Sequence, residues 1–298
     1  MISLKQLSYA LAVEQTLHFK RAAELRNISQ SALSTALSEL EKQLGVQIFE
    51  RDNKRVLITQ VGKQILEQAR SIILQVEDLQ QLSQSQQDVL SFPITIGMIP
   101  TIAPFLLPKF LPLLNHQFPK AELTLVEEQS HVLVNMVKNG DIDMAVLALP
   151  FECEGLLSFE CWQEDFFWIT HKDNKNASLK EISSDEINHC DLMLLKDGHC
   201  LKKHTLDICK LPPPTHHHGF SATSLNTLVQ MVLGKMGSTL IPAMALDQLT
   251  SLYKDISTVH LNEPSPHRTI AFVIRPNYTR MASVEKLCDL CKTALNKR

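Results

Sequence analysis

Between Thr59 and Val89 the chain has no proline and no helix-breaking pair, and Gly62 is the one weak point in an otherwise helix-compatible run. Inside it, Ile65, Ala69, Ile72, Val76 and Leu79 recur at alternating steps of four and three, the spacing of a heptad seam. Such a helix either pairs with a second copy of itself or packs on its own chain. In both cases it divides an N-terminal segment from a C-terminal one. Gln and Ser fill the sequence after residue 75, so the helix runs out into a polar linker before Pro93. A length of 298 residues calls for two or three units at the usual ~100–200 residues per domain. The expected division is 1–59, a small N-terminal domain; 60–90, the connector helix; and 91–298, a large C-terminal domain.

The first sixty residues read as three short helices followed by a hairpin. Leu4 to Glu14 carries apolar residues at 4, 7, 11 and 12, and Phe19 to Leu25 forms a second helical stretch. Ser29 is an expected N-cap for a third, Gln30 to Leu44, in which Leu33, Leu37, Leu40 and Leu44 form a stripe; Gly45 stops it. Two small helices joined by the turn Arg26–Ile28 make a helix-turn-helix, whose second helix enters the DNA major groove. The face opposite the leucine stripe offers Gln30, Ser31, Ser34, Thr35 and Ser38, short polar groups able to approach phosphates and base edges. Arg51, Lys54 and Arg55 lie around the tip of an expected two-stranded wing that runs on through Val56 to Thr59, suited to phosphate contact. The same pattern alone also fits a small helical domain with a solvated polar face. Charge permits DNA binding without demanding it. The first sixty residues hold eight Lys/Arg against six Asp/Glu, and the rest of the chain 21 against 26, within a net charge of −3.

The residues from Phe19-Lys20-Arg21-Ala22-Ala23, through Ser29-Gln30-Ser31-Ala32-Leu33-Ser34, to Glu39-Leu40-Glu41 and Leu44-Gly45-Val46-Gln47-Ile48-Phe49-Glu50-Arg51 closely resemble the LysR-type regulator family. The match is long and gapless. It implies a winged helix-turn-helix that binds a partly palindromic site on double-stranded DNA as a dimer or tetramer, with RNA polymerase as a further partner. It also favours a dimerisation role for the connector helix. Thr35 stands where many members of the family carry a basic residue.

Beyond the linker, short apolar runs alternate with helical patterns: strands over 93–99, 123–127 and 142–149, helices over 104–115 and 130–139. This βαβα order predicts an α/β sheet with helices on both faces. A second such unit spans about 165–267, and the chain then returns through a strand at 269–274 and a final helix from Ala282. Lobe I would comprise about 91–163 and 268–298, and lobe II about 164–267. Two α/β lobes with the chain crossing between them resemble the periplasmic-binding-protein-like sensing domain of LysR-type regulators, where a small effector would sit in the crevice between lobes.

Seven cysteines, at 153, 161, 190, 200, 209, 288 and 291, are odd in number and scattered, unlike a secreted disulfide framework. The first twenty residues lack a continuous apolar run, and the most apolar stretch, Ile102 to Leu114, is broken by three prolines. We therefore expect neither secretory signal nor membrane span, and a cytoplasmic protein. Cys200 follows Gly198-His199 and opens a helix-compatible segment that ends near Ile208 and Cys209. A helix N-terminus, with His199, Lys202 and Lys203 alongside, would favour the thiolate that attacks peroxide. Nine helical residues separate the ends of this segment by roughly 13 Å, whereas a disulfide needs Cα atoms within about 4.4–6.8 Å. If the segment is helical, Cys200 and Cys209 bond only by unwinding it. Two cytosolic cysteines at this spacing are otherwise simply structural.

The Asp197-Gly198-His199-Cys200-Leu201 run and the Cys200-to-Cys209 spacing resemble peroxide-sensing members of the same family. So do Ile99-Pro100-Thr101 with Leu106-Leu107-Pro108, Ser221-Ala222-Thr223-Ser224-Leu225, and Arg268-Thr269-Ile270. That resemblance implies Cys200 as the peroxide-reacting thiol and Cys209 as the resolving one, with Thr101, Ser130, His199 and Arg268 around the peroxide. It implies an activator of antioxidant genes, not an enzyme, that uses no cofactor. Departures from the pattern are Lys202-Lys203 in place of a basic–acidic pair, Ser130 for a threonine, and Asp207-Ile208 before Cys209. Pro212-Pro213-Pro214 and His216-His217-His218 read as a solvated loop rather than a metal site, and the other five cysteines as small apolar or surface residues.

Overall fold

The computed structural model describes residues 1–52, 55–82, 89–187, 191–210 and 222–296, in two compact units, Met1–Gln86 and Gln87–Arg298. In the first unit, α1 (Leu4–Thr16), α2 (Phe19–Leu25) and α3 (Gln30–Leu44) precede a hairpin of β1 (Phe49–Asp52) and β2 (Arg55–Ile58) and the long α4 (Gln60–Leu82). Local signals set the boundaries. Ser3 and Gln6 form a reciprocal capping box on α1, and the Ser29 hydroxyl accepts from Ala32 N on α3. Gly45 closes α3 in the left-handed region at φ 72°. The leucine stripe faces inward: Leu33, Leu37 and Leu40 are fully buried with Val13, Ala22, Ile48 and Leu66. Glu41 Oε1 accepts from both Ile48 N and Phe49 N, tying α3 to the first strand of the wing.

Gly62 is no defect in α4. A Cβ there would collide with the Ile48 carbonyl, so only glycine lets this helix start against the hairpin, where the Thr59 hydroxyl caps Gly62 N. Arg70 pairs with Glu14 at 2.6 Å and ties α4 to α1. Of the seam residues, Ala69 is buried, whereas Ile72 and Leu79 remain exposed.

The second unit has two lobes. Lobe I contains β3 (Ile94–Met98), α5 (Ala103–Gln117), β4 (Leu123–Glu127), α6 (Ser130–Asn139), β5 (Met144–Leu149) and β6 (Leu157–Glu164). The chain then crosses into lobe II through β7 (Phe166–His171), β8 (Glu181–Ile182), α7 (Cys200–Ile208), α8 (Leu225–Leu233), β9 (Thr239–Pro242), α9 (Leu246–Thr250) and β10 (Ile256–Leu261). It returns as β11 (Arg268–Ile274) and α10 (Met281–Asn296). The lobe I sheet has the order β4-β3-β5-β11-β6, with β3, β4 and β5 parallel and β11 antiparallel to both its neighbours. The lobe II sheet is β8-β10-β7-β9. Each sheet carries its own buried apolar core. Strand β5 is buried along nearly all its length, as a strand covered by helices on both faces must be.

Candidate functional site

Three helix N-termini meet where the lobes face each other. Thr101 lies in the turn between β3 and α5, Ser130 is the first residue of α6, and Cys200 is the first residue of α7. The two lobe I turns leave the carboxyl ends of parallel strands, the position at which α/β sheets present their sites. Cys200 belongs to a lobe II helix, yet its side chain packs in the lobe I core. The next residue, Leu201, packs in the core of lobe II.

Arg268, where β11 begins, organises the pocket floor. Its side chain is fully buried; Nη1 donates to Thr101 Oγ1 and Nη2 to the Thr101 carbonyl, each at 3.2 Å. Glu164, where β6 ends, answers the charge: its Oε1 accepts from Arg268 Nε at 2.8 Å and lies 2.7 Å from Nη2, while its Oε2 accepts from Met244 N at 2.8 Å. Glu164 and Arg268 stand on the two strands at which the chain passes between lobes, so this buried ion pair is also the hinge. Nothing local marks Glu164 in the sequence, and only the fold pairs it with Arg268.

Cys200 is buried, with 6% of its surface exposed. Burial raises its pKa; the Ser130 hydroxyl, the Arg268 charge and the first N–H groups of α7 pull the other way without cancelling it. Ser130 Oγ is itself buried, and its approach to the Cys200 thiol falls short of a hydrogen bond of good geometry. The charge expected from neighbours in sequence comes from elsewhere. Lys202 is committed to Asp197 at 2.6 Å, and burial depresses the pKa of His199, which favours its neutral form. The cation that acts on Cys200 is Arg268. This corrects the sequence-based reading, which lacked the direction of the side chain.

Two further contacts hold α7 in place. Gly198 adopts φ +98° and packs against the Gln129 carboxamide, which a Cβ would strike. His204, 2% exposed, bonds through Nε2 to the Pro150 carbonyl at 2.9 Å; a carbonyl only accepts, so Nε2 carries the proton. Its Nδ1 is buried without a partner. No motif in the sequence points to Gln129 or His204 as parts of the site.

Cys209 caps the far end of α7 and is buried in the lobe II core, where burial, reinforced by the Glu263 carboxylate, pushes its pKa up to about 11. Both cysteines are free. Nine positions apart in sequence, the sulfurs sit in different cores at opposite ends of α7. In the first unit, Gln30, Ser31 and Thr35 are exposed and Ser34 half-buried along one face of α3. Arg51 and Arg55 fall within the wing strands, while Lys54 lies outside the described residues. Cys190, Pro212 to Pro214, His216 to His218 and Ser221 also lie outside them. Among the described residues, no group of three or more His, Cys, Asp or Glu is arranged to hold a metal ion, and no helix is long and apolar enough to cross a membrane.

Comparison with known proteins agrees with this architecture. Residues 4–63 match the bacterial regulatory helix-turn-helix protein of the lysR family, and residues 88–296 the LysR substrate binding domain. The chain is 36% identical to the HTH-type transcriptional regulator EstR of Acinetobacter baylyi, over 97% of this chain and 96% of that protein. It is 34% identical to a hydrogen peroxide-inducible genes activator of Dickeya chrysanthemi, over 97% and 94% of the respective chains. Among solved structures it resembles full-length OxyR from Pseudomonas aeruginosa, with a TM-score of 0.78 at 31% identity and 98% of each chain covered. Head and body alike place the chain in one group: it belongs to the LysR family of helix-turn-helix transcriptional regulators.

Proposed function

We propose that this regulator senses hydrogen peroxide through Cys200 and converts the reaction into a change in DNA binding. The observation that carries the reading is the placement of Cys200 against Ser130 and the Arg268–Thr101 pair, with Cys209 at the far end of the same helix. The likeness to the Dickeya activator and to OxyR supports it. In this reading Thr101, Ser130 and His199 hold the peroxide oxygens, and Arg268 stabilises the departing hydroxide, charge placed where charge develops. The Cys200 thiolate takes one oxygen and becomes a sulfenic acid, while the other leaves as hydroxide and becomes water on taking up the proton that the thiol released. Cys209 then condenses with it to a disulfide and a second water. The bond requires the sulfurs to leave two separate cores and α7 to unwind, a two-state rearrangement rather than a local adjustment.

The other regions fit the same reading. The α3 face bearing Gln30, Ser31, Ser34 and Thr35 reads the major groove, and Arg51, Lys54 and Arg55 contact phosphates. Exposed Ile72 and Leu79 on α4 pair with a second chain, giving a dimer or tetramer that recruits RNA polymerase to antioxidant genes. The protein acts in the cytoplasm and turns over no substrate.

The test treats reduced full-length protein with near-stoichiometric hydrogen peroxide, maps disulfides by peptide mass under non-reducing conditions, and footprints a bound promoter before and after. A Cys200–Cys209 peptide with a changed footprint is expected. Absence of that peptide with unchanged DNA binding would overturn the reading in favour of a small effector in the inter-lobe crevice. Rapid steady consumption of peroxide would instead make the protein a peroxidase.

A further inference from the structure

Three other cysteines come together in lobe I, away from Cys200. Cys161 lies in β6, and Cys288 and Cys291 are one helical turn apart on α10, on the face turned toward the sheet. Their exposures are 5%, 6% and 0%. A β-bulge brings them together. Ile270 of β11 pairs with Trp162 and Ala271 with Glu160, so Cys161 is the extra, unpaired residue of β6. Its S–H donates to the Ile270 carbonyl at 3.4 Å, and it is buried in the same cluster as both helix thiols, close enough for each to act on its titration.

Apolar filling alone does not require this arrangement, which joins three sulfurs from two elements far apart in sequence. Most buried cysteines behave as isolated small hydrophobes. Here all three thiols lie in one buried cluster, on a strand and on a helix face packed against it, so disulfide closure to about 2.05 Å needs side-chain movement and no helix unwinding. The geometry is thus the reverse of the Cys200–Cys209 pair.

We propose that Cys161, Cys288 and Cys291 form a second oxidisable thiol centre, in which a hydroperoxide closes a disulfide between Cys161 and one of its neighbours on α10. The electrons balance on two thiols. One thiol, as thiolate, attacks a peroxide oxygen; the O–O bond breaks, the departing oxide takes up the proton the thiol released (giving water from hydrogen peroxide), and a sulfenic acid remains. The second thiol attacks that sulfur, the S–O bond breaks, and a second water leaves with the disulfide. The Cys288 hydrogen bond lowers the Cys161 pKa, but the Cys291 contact and burial outweigh it, and the Cys161 hydrogen bond with burial raises that of Cys288. Protonated thiols react slowly, so this centre answers excess oxidant. Its position gives the bond a mechanical consequence. Cys161 precedes Glu164 by three residues on β6, so a disulfide to α10 anchors the strand that carries one member of the hinge ion pair.

The test uses full-length protein carrying Cys200→Ser and Cys209→Ser, which removes the chemistry proposed for those residues. The protein is exposed to excess hydrogen peroxide, quenched, unfolded, alkylated and mapped. We expect two titratable thiols lost per chain and a peptide joining Cys161 to Cys288 or Cys291. The same peptide is sought in unsubstituted protein, so a misfolded variant does not decide the matter. Cys161→Ala should leave both α10 cysteines alkylatable. The proposal is overturned if Cys161 stays fully alkylatable in unsubstituted protein under excess peroxide, or if thiol loss is confined to Cys153 and Cys190.

Discussion

The Glu164–Arg268 pair gives a quantitative test of how the inter-lobe hinge is held. Side-chain exposures of 2% and 0% leave neither charge access to water, and Glu164 meets all its obligations within the protein: Arg268 on one oxygen, Met244 N on the other. Removing one member of such a pair strands the other as an uncompensated buried charge, which costs about 3–5 kcal/mol. Glu164→Gln and Arg268→Met should therefore each destabilise the protein by about that amount. Against a usual total of about 5–15 kcal/mol this is a large loss. In a unit of this size it corresponds to a fall in Tm of about 2–4 °C per kcal/mol. The double substitution removes both charges, and its cost should be well below the sum of the two singles, with a coupling of up to about 3 kcal/mol. Urea unfolding monitored by tryptophan fluorescence reads the change, since Trp162 and Trp168 lie on β6 and β7, either side of the hinge. Additive single costs, or singles below about 1 kcal/mol, would refute the claim that these groups hold each other out of water.

The same geometry sets three further outcomes. Ser130→Ala deletes a buried hydroxyl with no good hydrogen bond, so stability should change by less than about 1 kcal/mol, while Cys200 alkylation slows as its pKa rises; a rate-versus-pH profile with iodoacetamide checks both. Lys202→Ala should leave Cys200 alkylation within about twofold, because that ammonium is engaged by Asp197 and the charge acting on the thiol is that of Arg268; a larger drop would return the lysine to the site. Burial depresses the His204 pKa below its ordinary 6.5, so on acidification the unfolded chain takes up a proton before the folded one. Stability is then full above about pH 6.5 and declines as pH falls through that value toward the folded pKa, by at most about 1.4 kcal/mol per pH unit. His204→Gln should flatten the decline in urea titrations between pH 7 and 5.

Much of the architecture could be read without coordinates because local signals agreed with tertiary demands. The α3 leucine stripe, its Ser29 cap and its Gly45 stop each name one feature of the finished helix, and the helix spans the same residues. The α7 bounds, Cys200 to Ile208, are likewise legible from composition and the preceding glycine. Features that depend on two distant segments are not. Glu164 looks like any acidic residue at a strand end until β11 places Arg268 beside it. The Cys161 bulge exists only relative to the register of β11, so no inspection of β6 alone could bring three thiols together. Lys202 and Lys203 mislead because nearness in sequence says nothing of rotation about the helix axis, which turns Cys200 into lobe I and Lys202 toward Asp197. Gly62, a weak point by propensity, is a clearance requirement imposed by the Ile48 carbonyl.

The lodging of Cys200 in the neighbouring lobe makes its exposure a gauge of how firmly the two bodies are clasped. A reagent that enlarges or charges this sulfur reacts with it mainly while the lobes are parted, so at a fixed pH the speed of labelling scales with the share of time they spend apart. A substitution that tightens the clasp, even one remote from the sulfur, would quieten the cysteine without touching its chemistry, and one that loosens it would do the reverse.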